Sequence, residues 1–224
     1  GVPENSLAAF EAARAADVGV ELDVRLTADG VPVVFHDAGL ERMCGHRELL
    51  ARVMSEDLAE HRLPDGSTIP ALAQVLAVMA DLPVLIELKV DAATGDIADR
   101  ISCTIEGLRG LFGVMSFDEP TVARLCRLVT DRPVGLLAMA DNQIEDTIRA
   151  KAMTARHWGC DYVAPHHSVL AVMQEAAGGL PMVTWTVRTP EELELARKHG
   201  AAPIFEGFSP SLACGLAMPP GTPI

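Results

Sequence analysis

Short apolar runs alternate along this chain with longer stretches of helical period. The runs near residues 18–24, 31–35, 84–90, 112–117, 133–139, 161–165, 181–187 and 203–206 predict strands. Between most of them, apolar residues recur at helical spacing: Ser6 to Ala16, Ile69 to Ala80, Glu119 to Val129, Asn142 to Trp158 and Pro190 to His199. Asn5 or Ser6 can cap the first helix, whose apolar face is Leu7, Phe10 and Ala13. Strand–helix alternation predicts parallel strands covered by helices. Asp29-Gly30 between two apolar runs is a hairpin signal, so 31–35 folds back beside 18–24 as a local arm. Setting that arm aside leaves about seven strands in strand–helix register. A (β/α)8 barrel of the TIM type needs eight. The expectation is therefore a TIM-type barrel whose first strand lies upstream of Gly1, with a doubly wound sheet as the alternative. The polar, irregular stretch from about 38 to 70 is expected to be a small insertion within a single domain of residues 1–224.

Two strands break the apolar pattern. Gly19-Val20-Glu21-Leu22-Asp23-Val24 and Val84-Leu85-Ile86-Glu87-Leu88-Lys89 each place ionisable side chains two residues apart. That spacing sends Glu21 and Asp23 to one face, and Glu87 and Lys89 to one face. Unpaired charge in a strand interior is costly. Three carboxylates and a lysine therefore point to a divalent metal held by oxygen ligands, with a cation for an anionic substrate. Buried structural salt bridges are the alternative. His36, at the end of Val33-Val34-Phe35, is placed to move protons near neutral pH, or else is a surface residue.

Composition narrows the partners. The chain has 224 residues and is 49% hydrophobic, enough for a sizeable core. A net charge of −13 argues against nucleic acid. No run approaches the roughly 18 apolar residues of a membrane span. The five cysteines, Cys44, Cys103, Cys126, Cys160 and Cys214, are scattered and lack CxxC spacing. They suit a reducing compartment, and a cytoplasmic location is expected. His46, His61, His157 and His199 read as surface or helix-end residues, and the nine methionines as core filler.

Several segments together resemble the glycerophosphodiester phosphodiesterase family. They are Pro3-Glu4-Asn5-Ser6-Leu7-Ala8-Ala9-Phe10, Val20-Glu21-Leu22-Asp23-Val24, Asp29 to Asp37 and Ile86-Glu87-Leu88-Lys89. Ser116-Phe117-Asp118 and Thr184-Trp185-Thr186-Val187 are weaker matches, and the resemblance runs to about Pro210. It implies a TIM-type barrel, a divalent cation (Mg2+ or Ca2+), and hydrolysis of small-molecule glycerophosphodiesters to sn-glycerol 3-phosphate and an alcohol. It implies Glu21, Asp23 and Glu87 as metal ligands, His36 as one of two acid–base histidines, Lys89 beside metal and phosphate, and Trp185 as a substrate contact. It also implies that the nucleophile is the substrate's own glycerol hydroxyl. The family's other histidine lies in a His-Arg-Gly motif just before Pro-Glu-Asn, so it too is expected upstream of Gly1. Glu4 could orient that motif's arginine or stabilise the first helix, and Asp37 could position His36 or cap a loop.

Two positions depart from the family pattern. Arg188 stands where the family often has Asn, and Glu206 where it commonly has Thr-Asp. Arg188 could contact phosphate or be solvated. His166 and His167, after the run 161–165, could touch substrate or simply shape a loop. Two rival readings stand beside hydrolysis of small glycerophosphodiesters: a lysophospholipase D-like phosphodiesterase with an apolar rim of Trp185, Phe205 and Phe208, and a noncatalytic barrel binding glycerophosphate ligands.

Overall fold

The computed structural model describes residues 2–91, 96–139 and 145–210. They carry eight strands, β1 (Val20–Leu26), β2 (Pro32–Val34), β3 (Val84–Leu88), β4 (Phe112–Ser116), β5 (Val134–Ala138), β6 (Tyr162–Pro165), β7 (Met182–Val187) and β8 (Ala201–Phe205). Helices α1 (Leu7–Ala15), α2 (Glu41–Cys44), α3 (Leu72–Met79), α4 (Ile97–Ile105), α5 (Glu119–Leu128), α6 (Glu145–Trp158), α7 (Leu170–Ala176) and α8 (Pro190–Lys198) alternate with them. The chain forms two compact units, Gly1–Val114 and Met115–Ile224, and β4 contains the boundary.

In the first unit β1 is the pivot. It pairs with β2 antiparallel, Val24 opposite Val34 and Leu26 opposite Pro32. Proline fits there because β2 is an edge and its missing N–H costs no ladder bond. The hairpin turn is latched by Asp29, which accepts from Thr27 and Ser55 hydroxyls, each at 2.6 Å, and from the Ser55 N–H at 2.9 Å. Those bonds, the Ser55 hydroxyl first, lower its pKa to about 2. On its other side β1 runs parallel to β3. Leu22, Val24, Ile86 and Leu88 are all at most 1% exposed, so the apolar faces of both strands are fully covered.

Residues 38–70 carry their own apolar cluster. Val33, Phe35, Leu40, Leu50, Val53, Leu58, Leu63 and Ile69 are buried together beneath the helical turns Leu50–Arg52 and Ser55–Glu60. His61 is buried here, at 6% exposed, where its sequence neighbours suggested a surface residue. Its ring packs edge-on to His46, 4.7 Å between centroids.

The second unit winds sequentially, β5 beside β6, β6 beside β7 and β7 beside β8, all parallel. Sequential order without a reversal is barrel winding and not the reversed order of a doubly wound sheet. The fold class is the TIM-type barrel expected from the pattern. Register shifts between Thr184 and Val187, an irregularity that re-aims Trp185.

Differences from the sequence reading are local. β1 begins at Val20 and continues through Arg25-Leu26, because the β2 arm gives those residues a partner. α4 and α7 were not anticipated. α7 is only seven residues long, and α4 is set by the Asp96 cap, whose side chain accepts from the Ala98 N–H. The expected start of a helix at Asn142, and Cys214, lie outside the described residues.

Gly135 in β5 fixes a close approach. A methyl group there would sit 2.2 Å from the ring of Tyr162, which is 2% exposed. Gly135→Ala is expected to lower unfolding free energy by about 1–3 kcal/mol through overpacking. Urea denaturation measures this, and Tyr162→Leu should restore part of the loss in the double variant.

Candidate active site

Two residues that face each other across a parallel pair share a face of the sheet. Asp23 is the register partner of Glu87, and Glu21 lies two residues before Asp23. The three carboxylates therefore converge. One oxygen from each lies within 4.8 Å of the others. Ligand oxygens about 2.0–2.6 Å from a shared divalent cation lie within about 5 Å of one another. Asp23 and Glu87 are each 7% exposed.

Lys89 partly balances this charge. Its Nζ is 3.0 Å from Asp23 Oδ1 and 2.5 Å from Glu87 Oε1. The Glu87 contact is a charge pairing off the hydrogen-bond direction. Asn5 Nδ2 donates to the other Asp23 oxygen at 3.0 Å. To do so Asn5 takes a left-handed φ of 55°, a conformation asparagine tolerates. Ser6 then caps α1 alone, accepting from the Ala9 N–H at 3.2 Å.

Glu21 is left over. Its Oε1 is buried without a hydrogen-bond partner. Burial, then repulsion from Asp23 and Glu87, raises its pKa well above the ordinary carboxylate range, although Lys89 opposes this. Burial likewise raises Glu87. Burial alone would lower Lys89, but Asp23 and Glu87 outweigh it and hold the ammonium charged. One lysine against three converging carboxylates leaves negative charge with no protein partner. The donors are all hard oxygens and one is orphaned, so the site fits a divalent cation.

His36 ends the β2 arm. Arg25 holds its backbone, Nε donating to His36 O at 2.8 Å while Nη1 meets Asp91 Oδ2 at 2.6 Å. The side chain is half exposed, and its Nδ1 lies 2.7 Å from Asp37 Oδ1. Arg42 on α2 grips Asp37 with two nitrogens and also pairs with Glu4. The Arg42 hydrogen bonds, with help from His36, lower the Asp37 pKa to about 2, so it stays a carboxylate. A carboxylate accepts only, so His36 Nδ1 is the donor in this contact and Nε2 is the nitrogen left facing outward from it. Glu4 thus serves Arg42. The sequence reading missed Arg42, Arg25 and Asp91. A basic residue five positions after Asp37, on a short helix, was the available signal for Arg42.

The other sequence candidates lie in the second unit. Trp185 donates Nε1–H to Ala164 O at 2.8 Å and meets Phe117 and His166 edge-on, at 5.3 and 5.1 Å between centroids. Arg188 pairs with Glu206, so the two departures from the family pattern meet in one exposed ion pair. The Arg188 N–H also donates to Glu192. His167 lies 3.5 Å from Glu192, and His166 Nδ1 lies 2.9 Å from the Ser168 hydroxyl.

Glu21→Gln is expected to raise the melting temperature in EDTA at neutral pH. Because the folded-state pKa of Glu21 is raised, the fold binds a proton that the unfolded chain has already released. Stability therefore falls as pH rises through that window. The advantage of the variant should be largest above the window and vanish below the ordinary carboxylate range. Equal melting at all pH values would show that Glu21 carries no strain.

Comparison with known proteins bears out the fold and the lineage. The model of the glycerophosphoryl diester phosphodiesterase family matches residues 1–208. The chain is 34% identical to the glycerophosphodiester phosphodiesterase of Caldanaerobacter subterraneus, over 89% of this chain and 86% of that protein. It is 39% identical to glycerophosphodiester phosphodiesterase 1 of Rattus norvegicus, over 88% of this chain and 71% of that protein. An Oleispira antarctica phosphodiesterase, solved in complex with the product sn-glycerol-3-phosphate, superposes with a TM-score of 0.76. That pair is 23% identical, over 91% of this chain and 87% of the other, and the likeness speaks to fold. The chain belongs to the glycerophosphoryl diester phosphodiesterase family, enzymes that hydrolyse glycerophosphodiesters to sn-glycerol 3-phosphate and an alcohol.

Proposed function

We propose that this chain hydrolyses small glycerophosphodiesters with Glu21, Asp23 and Glu87 holding Mg2+ or Ca2+, Lys89 facing the phosphoryl group, and His36 moving protons. The observation that carries this reading is the buried, unpartnered Glu21 Oε1 among converging carboxylates that a single lysine leaves under-neutralised. A bound cation would supply charge neutralisation of the phosphodiester and of the charge developing on it. Lys89, held charged by Asp23 and Glu87, adds a second positive group for the phosphoryl oxygens. His36 takes a proton at Nε2 while Asp37 holds the ring and favours the imidazolium that forms. Arg42 and Glu4 act through Asp37 as positioning residues. Trp185 keeps its substrate-contact assignment on the family resemblance; Arg188, a departure from that pattern, keeps a phosphate-contact assignment on its charge alone and is tied to Glu206 at rest. The product's relation to this chain follows the same line: sn-glycerol-3-phosphate is bound by the Oleispira relative.

A single catalytic domain covering the chain, with residues 38–70 as an insertion that steadies His36 and Asp37, belongs to the same proposal. Among the described residues no helix is long and apolar enough to cross a membrane. One observation favours a second reading: Phe205 and Phe208 stack 5.1 Å apart beside Glu206 and could meet the acyl chain of a lysophospholipid.

Glycerol 3-phosphate released from glycerophosphocholine and glycerophosphoethanolamine, with Mg2+ or Ca2+ and not with EDTA, is the expected result. Lysophosphatidylcholine hydrolysed in preference to both would select the second reading. Glu87→Ala should abolish the metal-dependent turnover, with circular dichroism unchanged. Unaltered activity would remove the metal assignment. His36→Ala should lower kcat by about 10²–10⁴-fold with little change in KM. A variant that keeps full kcat would take the proton-transfer role from His36.

A further inference from the structure

Outside this site, the second unit brings two thiols together that lie 34 positions apart in the chain. Cys126 is on α5, and Cys160 follows the turn that ends α6. Gly159 makes that turn with a left-handed φ of 74°, and the Cys160 N–H returns to Ala155 O at 2.9 Å. The turn aims Cys160 beneath α5, and the two Sγ atoms stand 3.8 Å apart. A disulfide has sulfurs about 2.0 Å apart, so closing the pair needs less than about 2 Å of movement.

The two thiols are not equivalent. Cys160 is 4% exposed. Cys126 is half-buried and lines a cleft of about 500 Å3 together with Val129, Arg132, Pro133, Gly159 and Asp161. A small oxidant can reach Cys126 through the cleft but not Cys160. The hydrogen bond between the two thiols lowers the Cys126 pKa; burial and the nearby Asp161 oppose this, and Arg127 assists it. The Cys160 thiol is pushed far up by the same partner and by its burial. The more accessible member is thus favoured as the thiolate over the buried one.

We propose that Cys126 and Cys160 form a reversible dithiol–disulfide couple oxidised by small peroxides, Cys126 reacting first and Cys160 resolving. The Cys126 thiolate attacks one peroxide oxygen; the S–O bond forms, the O–O bond breaks, and hydroxide leaves to become water. The Cys160 sulfur then attacks the sulfenic sulfur; the S–S bond forms and the S–O bond breaks. A second water leaves with the Cys160 proton. Two thiols lose two electrons in total, and one peroxide becomes two waters. The disulfide closes the segment that holds β5 and α6, which restricts the unfolded chain and stabilises the unit.

The test treats the whole protein with hydrogen peroxide near neutral pH and follows it by thiol counting, peptide mapping and melting temperature. The exposed Cys103 is the internal comparison. The expected result is a Cys126–Cys160 linked peptide, loss of two thiols, a higher melting temperature and full reversal by dithiothreitol. Cys160→Ser should leave a sulfenic acid on Cys126 that a dimedone-type reagent traps. Cys126→Ser should leave Cys160 reduced. Wild-type protein in which both cysteines remain alkylatable after Cys103 has been oxidised overturns the proposal. So does oxidation that joins either one to a different cysteine.

Discussion

The parallel pairing of β1 with β3 sets Asp23 opposite Glu87, and the convergence of the three carboxylates depends on that register. A slip of β1 by one residue would turn Glu21 and Asp23 away from Glu87 and bring Leu22 and Val24 into the site. Both faces resist such a slip. One carries side chains that are almost wholly buried, and the other carries charges that find partners only here. The backbone adds a second lock, since the Asp23 carbonyl accepts from the Phe35 N–H and the Val24 carbonyl from the Lys89 N–H. The residues that fix the strands are thus neighbours of those proposed to do the chemistry.

Around this pair the structure leaves the charges deliberately unequal. Lys89 pairs its charge with Asp23 and Glu87, Asn5 takes the remaining Asp23 oxygen, and Glu21 is left with a raised pKa and an unpartnered atom. A protein selected only for stability would place an apolar residue there, since burying an unpaired carboxylate is costly. His36 is handled differently. It stays exposed, and its orientation comes from a surface chain of Asp37, Arg42 and Glu4. The apolar cluster under residues 38–70 gives that chain a fixed base, because Phe35 and Leu40, on either side of His36 and Asp37, are both buried in it. The proton-transfer role proposed for His36 needs solvent access and a defined ring orientation together.

The second unit shows how local departures compensate. Arg188 and Glu206 each break the family's pattern, yet each is the other's partner at the ends of β7 and β8. An exposed pair of this kind contributes little stability. What it fixes is where two long side chains rest. Cys126 and Cys160 are a similar case, unremarkable singly and informative as a pair.

Periodicity determined the strand–helix order and the face shared by Glu21 and Asp23, because side-chain direction in a strand follows from counting residues, and the Asp29-Gly30 turn signal determined the hairpin arm. It did not yield α4, whose start depends on one aspartate cap, or α7, which is too short to show a period. The carboxylates and His36 were legible because charged and titratable groups stand out in apolar runs. Arg42 was not, since an arginine on a polar stretch looks solvated until the fold brings Glu4 and Asp37 to it from 38 and five positions away. The pairing of Asp23 with Glu87, of Arg188 with Glu206 and of Cys126 with Cys160 was decided only by tertiary structure. Sequence spacing sets which face a residue occupies, while long-range register sets what it meets there.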